Sequence, residues 1–186
     1  MKKILLLVAV AFTANVINAQ FIKKKSISAQ IGVGLSAPNN STADFTDYGF
    51  FLQGELILEV SDWIELRPYA GYVSTSPAGE DFDGNPINEF ATTKALLLGG
   101  KARVRAPIRW VAPYFEIGIG TSIGSFETST DFDNISRSGI IYHVPVSLGL
   151  ELGRNNNFDL GFSYYLQPSV EQFTGAFAIG ITFSLK

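Results

Sequence analysis

Apolar and polar residues alternate along most of this chain, beginning a short distance from its amino terminus. Between residues 26 and 36, isoleucine, alanine, valine and leucine fill every odd position, whereas serine, glutamine and glycine fill the even ones. Successive side chains of a β-strand point to opposite faces, so a period of two predicts a strand with one apolar and one polar face.

The same alternation recurs further along the chain. The eight predicted strands span residues 26–36, 48–60, 63–74, 93–106, 111–125, 140–152, 158–166 and 176–186. Strands of soluble proteins usually have roughly five or six residues, and strands that cross a membrane at a tilt have about nine to eleven. The length of the segments therefore favours a membrane protein.

The connections between these segments alternate in length. The predicted short turns are 61–62, 107–110 and 153–157, and the predicted long loops are 37–47, 75–92, 126–139 and 167–175. Short turns at one rim and long loops at the other are typical of outer-membrane barrels, whose turns and termini face the periplasm.

One face of every predicted strand is almost free of charge, with Lys94 near a strand end as the exception. The other face carries both signs of charge beside small residues. Strands satisfy their backbone hydrogen bonds within lipid only when the sheet closes into a barrel. The pattern therefore predicts an all-β fold, an eight-stranded antiparallel up-and-down transmembrane β-barrel.

The first 19 residues have the features of a secretory signal peptide. Lys2 and Lys3 precede an apolar run from Ile4 to Phe12, and the segment ends at the small residue Ala19. The run is too short for a membrane-spanning helix. We predict cleavage near Ala19, a barrel domain over residues 20–186 and a location in the bacterial outer membrane.

The composition excludes several kinds of chemistry. The chain has no cysteine, and so neither a thiolate nucleophile nor a cysteine metal site. Without Lys2 and Lys3 it keeps 12 basic and 17 acidic residues, a net charge of −5, which is opposite to what nucleic-acid binding requires. We expect no cofactor, no metal ion and no nucleic-acid partner.

The predicted signal peptide, the eight alternating strands and the last strand, Phe177-Ala-Ile-Gly-Ile-Thr-Phe183, resemble the outer-membrane β-barrel domain family. The chain is similar to the small barrels of the outer-membrane protein X and A type over its whole mature length. The resemblance implies a monomer that the barrel-assembly machinery inserts, in contact with outer-membrane lipid and lipopolysaccharide. Such families usually end in an aromatic residue, whereas this chain ends Phe183-Ser-Leu-Lys186, so its recognition signal is shifted or its end is extended.

Ten charged residues share the polar face, and the interior of an eight-stranded barrel is just wide enough for side chains to fill it. We expect opposite charges to meet there in an ion-pair network that fills the lumen. The sequence leaves open an alternative, a narrow ion path or a small-anion site on Lys101, Arg103 and Arg105. The predicted network consists of Glu55, Glu59, Glu65, Arg67, Lys101, Arg103, Arg105, Glu116, Glu151 and Asp159.

His143 is the only histidine, and its parity places it in the lumen. Ser147 shares that face, but four residues of strand separate the two by about 13 Å, too far for activation of a serine nucleophile. We therefore predict a polar lumen residue and no catalytic group.

Aromatic residues near strand ends and turns suit the girdles that outer-membrane barrels carry at the two membrane interfaces. The predicted interface aromatics are Tyr48, Trp63, Tyr72, Trp110, Tyr142, Phe158 and Tyr164.

The predicted loops are acidic. Their carboxylates are Asp44, Asp47, Glu80, Asp81, Asp83, Asp131 and Asp133. The segment from Asp81 to Asn85 lacks the ligand spacing of a calcium loop. We expect solvated charge, with a divalent cation bridging these residues to lipopolysaccharide phosphates as the alternative.

The function that these patterns favour is that of a non-enzymatic integral barrel serving envelope structure, surface interaction or very limited permeation. A barrel enzyme acting on outer-membrane lipid is one alternative. A soluble, lipocalin-like ligand carrier is another, and it would enclose the apolar faces instead of exposing them.

Overall fold

A computed structural model of the protein describes residues 22–38, 46–79, 89–129, 134–170 and 172–185. Eight strands follow one another in it. Their bounds are β1 Lys24–Pro38, β2 Asp47–Ser61, β3 Ile64–Ser76, β4 Phe90–Arg105, β5 Trp110–Ser129, β6 Asn134–Gly153, β7 Phe158–Leu166 and β8 Gln172–Ser184. Among the described residues, no helix is long and apolar enough to cross a membrane.

The sheet closes on itself. Each strand pairs antiparallel with the next, and β8 pairs with β1, from Ser26 opposite Ser184 to Pro38 opposite Gln172. Closure leaves neither β1 nor β8 as a free sheet edge, so the backbone groups of both strands are paired within the barrel. The predicted eight-stranded, antiparallel up-and-down barrel is confirmed.

The two ends of the barrel differ. Residues 62–63, 106–109 and 154–157 connect strands at one end, which we call the turn rim, and longer connections lie at the other, the loop rim. The turn after β6 uses backbone conformations that favour glycine and asparagine, with φ of 97° at Gly153 and 53° at Asn156. Turn chemistry read from the sequence therefore placed these short connections to within a residue or two.

Alternate residues of each strand point to opposite sides of the barrel wall, as predicted. Large apolar side chains lie on the outer face, where Ile119 is 70% and Ile179 59% exposed, while polar and charged residues of the other parity are buried inside. This arrangement is the reverse of a lipocalin-like carrier, whose apolar side chains face inward. The predicted apolar exterior is confirmed, and the lumen is polar except for a buried apolar layer that includes Phe51, Val73, Leu97 and Phe126.

The predicted loop over 126–139 is wrong in its extent. β5 continues to Ser129 and β6 begins at Asn134, with Phe126 paired to Arg137 in the ladder between them. Serine, glutamate and asparagine occupy the outer positions here in place of apolar residues, so the alternation could not be recognised, although the inward-facing Phe126 and Thr128 are buried. The predicted loop over 167–175 is likewise too long, because β8 begins at Gln172; the remaining strand ends differ from prediction by three residues or fewer.

Candidate functional site

The inward faces of β2 to β7 bring the predicted charged residues together in the half of the lumen nearest the turn rim. Five strands, β2, β3, β5, β6 and β7, each contribute one or two network carboxylates, and β3 and β4 contribute the cations. β1 and β8 contribute none: apart from Lys24 at the turn rim, their inward positions hold serine, glutamine, threonine, glycine, alanine and proline.

Arg103 is the centre of this network and is completely buried. Its guanidinium lies 2.7 Å from a carboxylate oxygen of Glu116, 2.7 Å from Glu151 and 2.6 Å from Asp159. The ring of Tyr114 lies against the same guanidinium, with 3.4 Å between the Arg103 Cζ atom and the ring centroid. The arginine therefore joins β4 to β5, β6 and β7.

Arg67 makes the corresponding links on the other side of the lumen. It lies 2.8 Å from Glu55, 2.7 Å from Glu65 and 3.1 Å from Glu151. Glu151 thus accepts hydrogen bonds from both buried arginines through one oxygen, Oε1. Sharing a carboxylate in this way pairs two cations that would be costly to bury alone, although Arg103 Nη2 has no hydrogen-bond partner among the described residues.

Lys101 lies between two of the same carboxylates, 2.6 Å from Glu55 and 2.8 Å from Glu116. Since both Lys101 and Arg103 are held by carboxylates and buried, neither offers the free cation that the alternative of a small-anion site on them requires. The lumen at this level is filled by paired charge.

Arg105 and Glu59 lie nearer the turn rim than the other network residues. Arg105 Nη1 donates to Glu151 at 2.9 Å, and its contact with Glu59 is looser, at 3.8 Å. The two side chains remain partly exposed. The structure therefore places all ten predicted residues in one network, with these two at its solvent side.

His143 occupies the middle of the lumen with partners that the sequence did not indicate. Its Nδ1 atom lies 2.7 Å from Ser122 Oγ on β5, and its Nε2 atom is hydrogen-bonded to the Tyr69 hydroxyl on β3. Ser147 instead bonds Ser163 on β7. Parity alone gives the face of a residue, whereas these pairings depend on register between strands.

The loop-side part of the lumen is closed by an apolar layer and a cluster of small polar side chains. Phe51, Val73, Leu97 and Phe126 are fully buried there. Above them, Ser36, Thr93, Thr128, Thr174 and Gln172 form hydrogen bonds with one another across the barrel. This layer was not predicted because Ser36 and Thr93 lie at the ends of predicted strands and Thr128, Gln172 and Thr174 lie in predicted loops.

Asp47, at the loop rim, does not remain a free loop carboxylate. Its two oxygens accept hydrogen bonds of 2.7 Å from the backbone N–H groups of Ala78 and Ala91. Burial raises the pKa of the Asp47 carboxyl, and these hydrogen bonds oppose the rise. The residue therefore ties the start of β2 to the ends of β3 and β4.

The other acidic loop residues, Asp44, Glu80, Asp81, Asp83, Asp131 and Asp133, lie outside the described residues. Within the described ranges, no group of three histidine or acidic residues is placed to hold a metal ion.

The predicted interface aromatics take up positions on the outer face near both rims. Trp63, Trp110 and Phe158 lie at the turn rim, and Tyr48 and Tyr142 lie toward the loop rim, all with exposed side chains. Tyr72 is less exposed, and Tyr164 packs on Phe173 with 4.7 Å between the ring centroids.

Comparison with known proteins gives the family and the fold. The model of the "Outer membrane protein beta-barrel domain" family matches residues 4–180. None of the curated proteins with which the chain was compared matches it.

Solved structures with the same fold include Neisserial surface protein A, at 12% identity and a TM-score of 0.60, covering 87% of this chain and 97% of that one. Ail, the attachment invasion locus protein of Yersinia pestis, is similar at 17% identity and a TM-score of 0.50, over 86% and 99% of the two chains. The outer membrane enzyme PagL is also among the similar structures, at 14% identity, a TM-score of 0.46 and coverage of 86% and 99%. At such identities the likeness shows the fold alone, and function has to be argued from the site.

Proposed function

Since the chain belongs to the outer membrane protein β-barrel domain family, we propose that it is an integral outer-membrane protein without enzymatic activity, whose filled lumen is closed to solutes. Its role is then in envelope structure or in contacts at the cell surface, with permeation absent or very limited. The loop rim faces the exterior and meets lipopolysaccharide, and the turn rim faces the periplasm.

The observation that carries this proposal is the buried ion network. Arg67, Lys101 and Arg103 occupy the turn-side half of the lumen, and each is buried between carboxylates from neighbouring strands. Passage of an ion would require these pairs to separate inside a space from which water is excluded, which is costly because each unpaired charge loses several kcal/mol of solvation. The loop-side apolar layer adds a second obstruction.

The geometry around His143 argues against lipid chemistry. Ser122 and His143 form a serine–histidine pair, but both side chains are 0% exposed and face the lumen. Gln167 Nε2 also donates to Ser122 Oγ, at 2.8 Å. A lipid substrate reaches the outer face or a rim of a barrel, and therefore does not reach this serine.

Planar-bilayer recording tests the closed lumen. We expect the refolded mature protein, at a concentration where a conducting porin gives steady steps, to give none in molar potassium chloride. A steady conducting state that persists across independent preparations would overturn the proposal.

Mass spectrometry of lipid A tests the absence of enzymatic activity. Expression in the outer membrane of a laboratory host should leave the mass spectrum of its lipid A the same as that of cells with an empty vector. A new mass that disappears in the Ser122→Ala variant would show that the serine is catalytic.

A further inference from the structure

A polar cavity of about 480 Å³ opens at the turn rim, below the buried network. Arg67, Glu65 and Glu151 lie at its inner end, and Lys24, Arg109 and Arg154 lie around its exposed mouth. The cavity is therefore continuous with the inward face of the barrel and is separated from the lipid-facing surface by the wall.

The charges that line this cavity are unequally paired. Each of its four acidic residues has a cation within 4.0 Å: Glu59 and Glu65 face Arg105, Glu151 faces Arg67 and Arg105, and Asp62 faces Lys23. Three of its five basic residues, in contrast, form no ion pair with any of the described residues. Those three are Lys24, Arg109 and Arg154.

The three unpaired cations come from separate parts of the chain that are held together at the rim. Arg109 lies in the turn between β4 and β5, and Arg154 lies in the turn between β6 and β7. Asn156 Nδ2 donates to Ile108 O at 3.3 Å and so links these two turns. Lys24 begins β1, and its parity directs it toward the same mouth.

We propose that this cavity is a binding site for a water-soluble anion that carries phosphate or carboxylate groups. Arginine side chains present paired N–H donors that match the oxygens of such groups, and lysine adds a point charge. The site opens on the lumen side of the turn rim, so its ligand comes from the periplasm and does not enter the network above. The inference goes beyond the proposed function and holds whether or not the lumen conducts.

Isothermal titration of the refolded protein in zwitterionic micelles tests the site, with inorganic pyrophosphate as the phosphate probe and citrate as the carboxylate probe. The decisive variant combines Lys24→Gln, Arg109→Gln and Arg154→Gln. A matched control combines Lys25→Gln, Lys94→Gln and Arg137→Gln, which removes the same charge from exposed positions outside the cavity.

We expect at least one probe to bind the native protein at low salt, and the cavity variant to bind it about tenfold or more weakly, as expected when charge-assisted hydrogen bonds are lost. The control should bind within about twofold of the native protein, since Lys25 points to the outer face and Lys94 and Arg137 lie toward the loop rim, so none of the three can donate a hydrogen bond to a ligand in the cavity. Which probe binds identifies the group that the site prefers.

Two outcomes would overturn the proposal. One is that neither probe binds the native protein at millimolar concentration. The other is an equal loss of affinity in the cavity variant and the control, because attraction to net charge alone would then explain the binding. Migration of unheated samples on a gel establishes first that all three proteins are folded.

Discussion

Tyr114 lies over two glycines that face each other across β6 and β7. Gly149 and Gly161 are paired in register, and a Cβ atom at either position would overlap the Tyr114 hydroxyl. That hydroxyl donates to Asp159 at 2.6 Å. The glycines thus leave the space through which the phenol ring reaches the ion network.

We expect Gly161→Ala to lower the free energy of unfolding by about 1–3 kcal/mol, the usual cost of forcing a group into a packed interior. The loss should be smaller in a Tyr114→Phe background, because the oxygen that meets the new methyl group is then absent. Urea unfolding of the four proteins in lipid vesicles gives the coupling between the two positions.

Gly100→Ala serves as the control for this cycle, since no heavy atom lies within 4 Å of an added Cβ atom at that position. Its free energy of unfolding should stay close to that of the native protein. A Gly161→Ala cost that is identical with and without the Tyr114 hydroxyl would contradict the proposed contact.

Arg103 gives a second prediction at the scale of one side chain. Its replacement by leucine leaves Glu116, Glu151 and Asp159 with fewer cationic partners in the buried lumen. We expect a loss of about 3–5 kcal/mol, as when one member of a buried ion pair is removed. The midpoint of urea unfolding measures it.

Arg137→Leu is the matched control for this substitution, because Arg137 is exposed and forms no ion pair with the described residues. Its effect should lie within about 0.5 kcal/mol. Equal midpoints for the Arg103 and Arg137 variants would show that the network adds nothing to stability.

Alternation predicted which residues face the lumen but not which ones touch. The inward parity of Arg67, Arg103 and Glu151 is readable from the sequence, whereas their contacts depend on register across three or more strands. The Ser122–His143 pair was missed for the same reason, since 21 residues separate its members. Register is set by packing and hydrogen bonding along whole ladders, and no local signal in the sequence specifies it.

At the scale of one element, strand existence was more predictable than strand length. β7 was predicted with its observed bounds, because apolar and polar residues alternate strictly and turn residues flank it. β5 and β6 run well past their predicted ends, where the ladder from Ser125–Ser138 to Ser129–Asn134 continues through hydroxyl residues. Strands above a membrane need no apolar outer face, so hydrophobic patterning stops before the strand does.

The short turns provide a prediction about depth in the bilayer. Trp63 and Trp110 flank the turns at 62–63 and 106–109 on the outer face, and both are exposed. Tryptophan favours the interface between lipid tails and water. In the single-tryptophan variants Trp63→Phe and Trp110→Phe, fluorescence should therefore be quenched most by lipids with a nitroxide near the headgroup.

A deep control comes from Phe115, which lies on the outer face of β5 midway between Trp110 and Thr121, the residue paired with Tyr142. Phe115→Trp in a protein that lacks both native tryptophans should be quenched most by a nitroxide near the end of the acyl chain. Deep quenching of either native tryptophan would contradict the assignment of the turn rim to the interface.

At the scale of the whole molecule, closure of β8 onto β1 makes the barrel a single unit. We expect unheated protein to migrate on a detergent gel apart from heated protein, because detergent does not open a sheet without free edges. The folded band should appear only after transfer from urea into micelles or vesicles. Coincident bands after such transfer would contradict a closed barrel.

The overall architecture could be predicted because lipid outside and charge inside impose opposite demands on the two faces of each strand. The function of the long loops could not be predicted, because their acidic residues follow no ligand spacing and lie mostly outside the described residues. The signal peptide and its cleavage near Ala19 stay predictions, because this segment also lies outside the described residues.

The absence of network residues from β1 and β8 bears on the order of assembly. The ion pairs that involve Arg67 and Arg103 can form within the sheet from β2 to β7, before the first and last strands meet. Joining β1 to β8 then brings together backbone groups and small side chains, and none of the ion pairs of Arg67 and Arg103 has to form across this seam. We therefore expect this seam to close last and to reopen first, which pulsed hydrogen exchange during refolding would reveal as later protection of β1 and β8 than of β3 to β5.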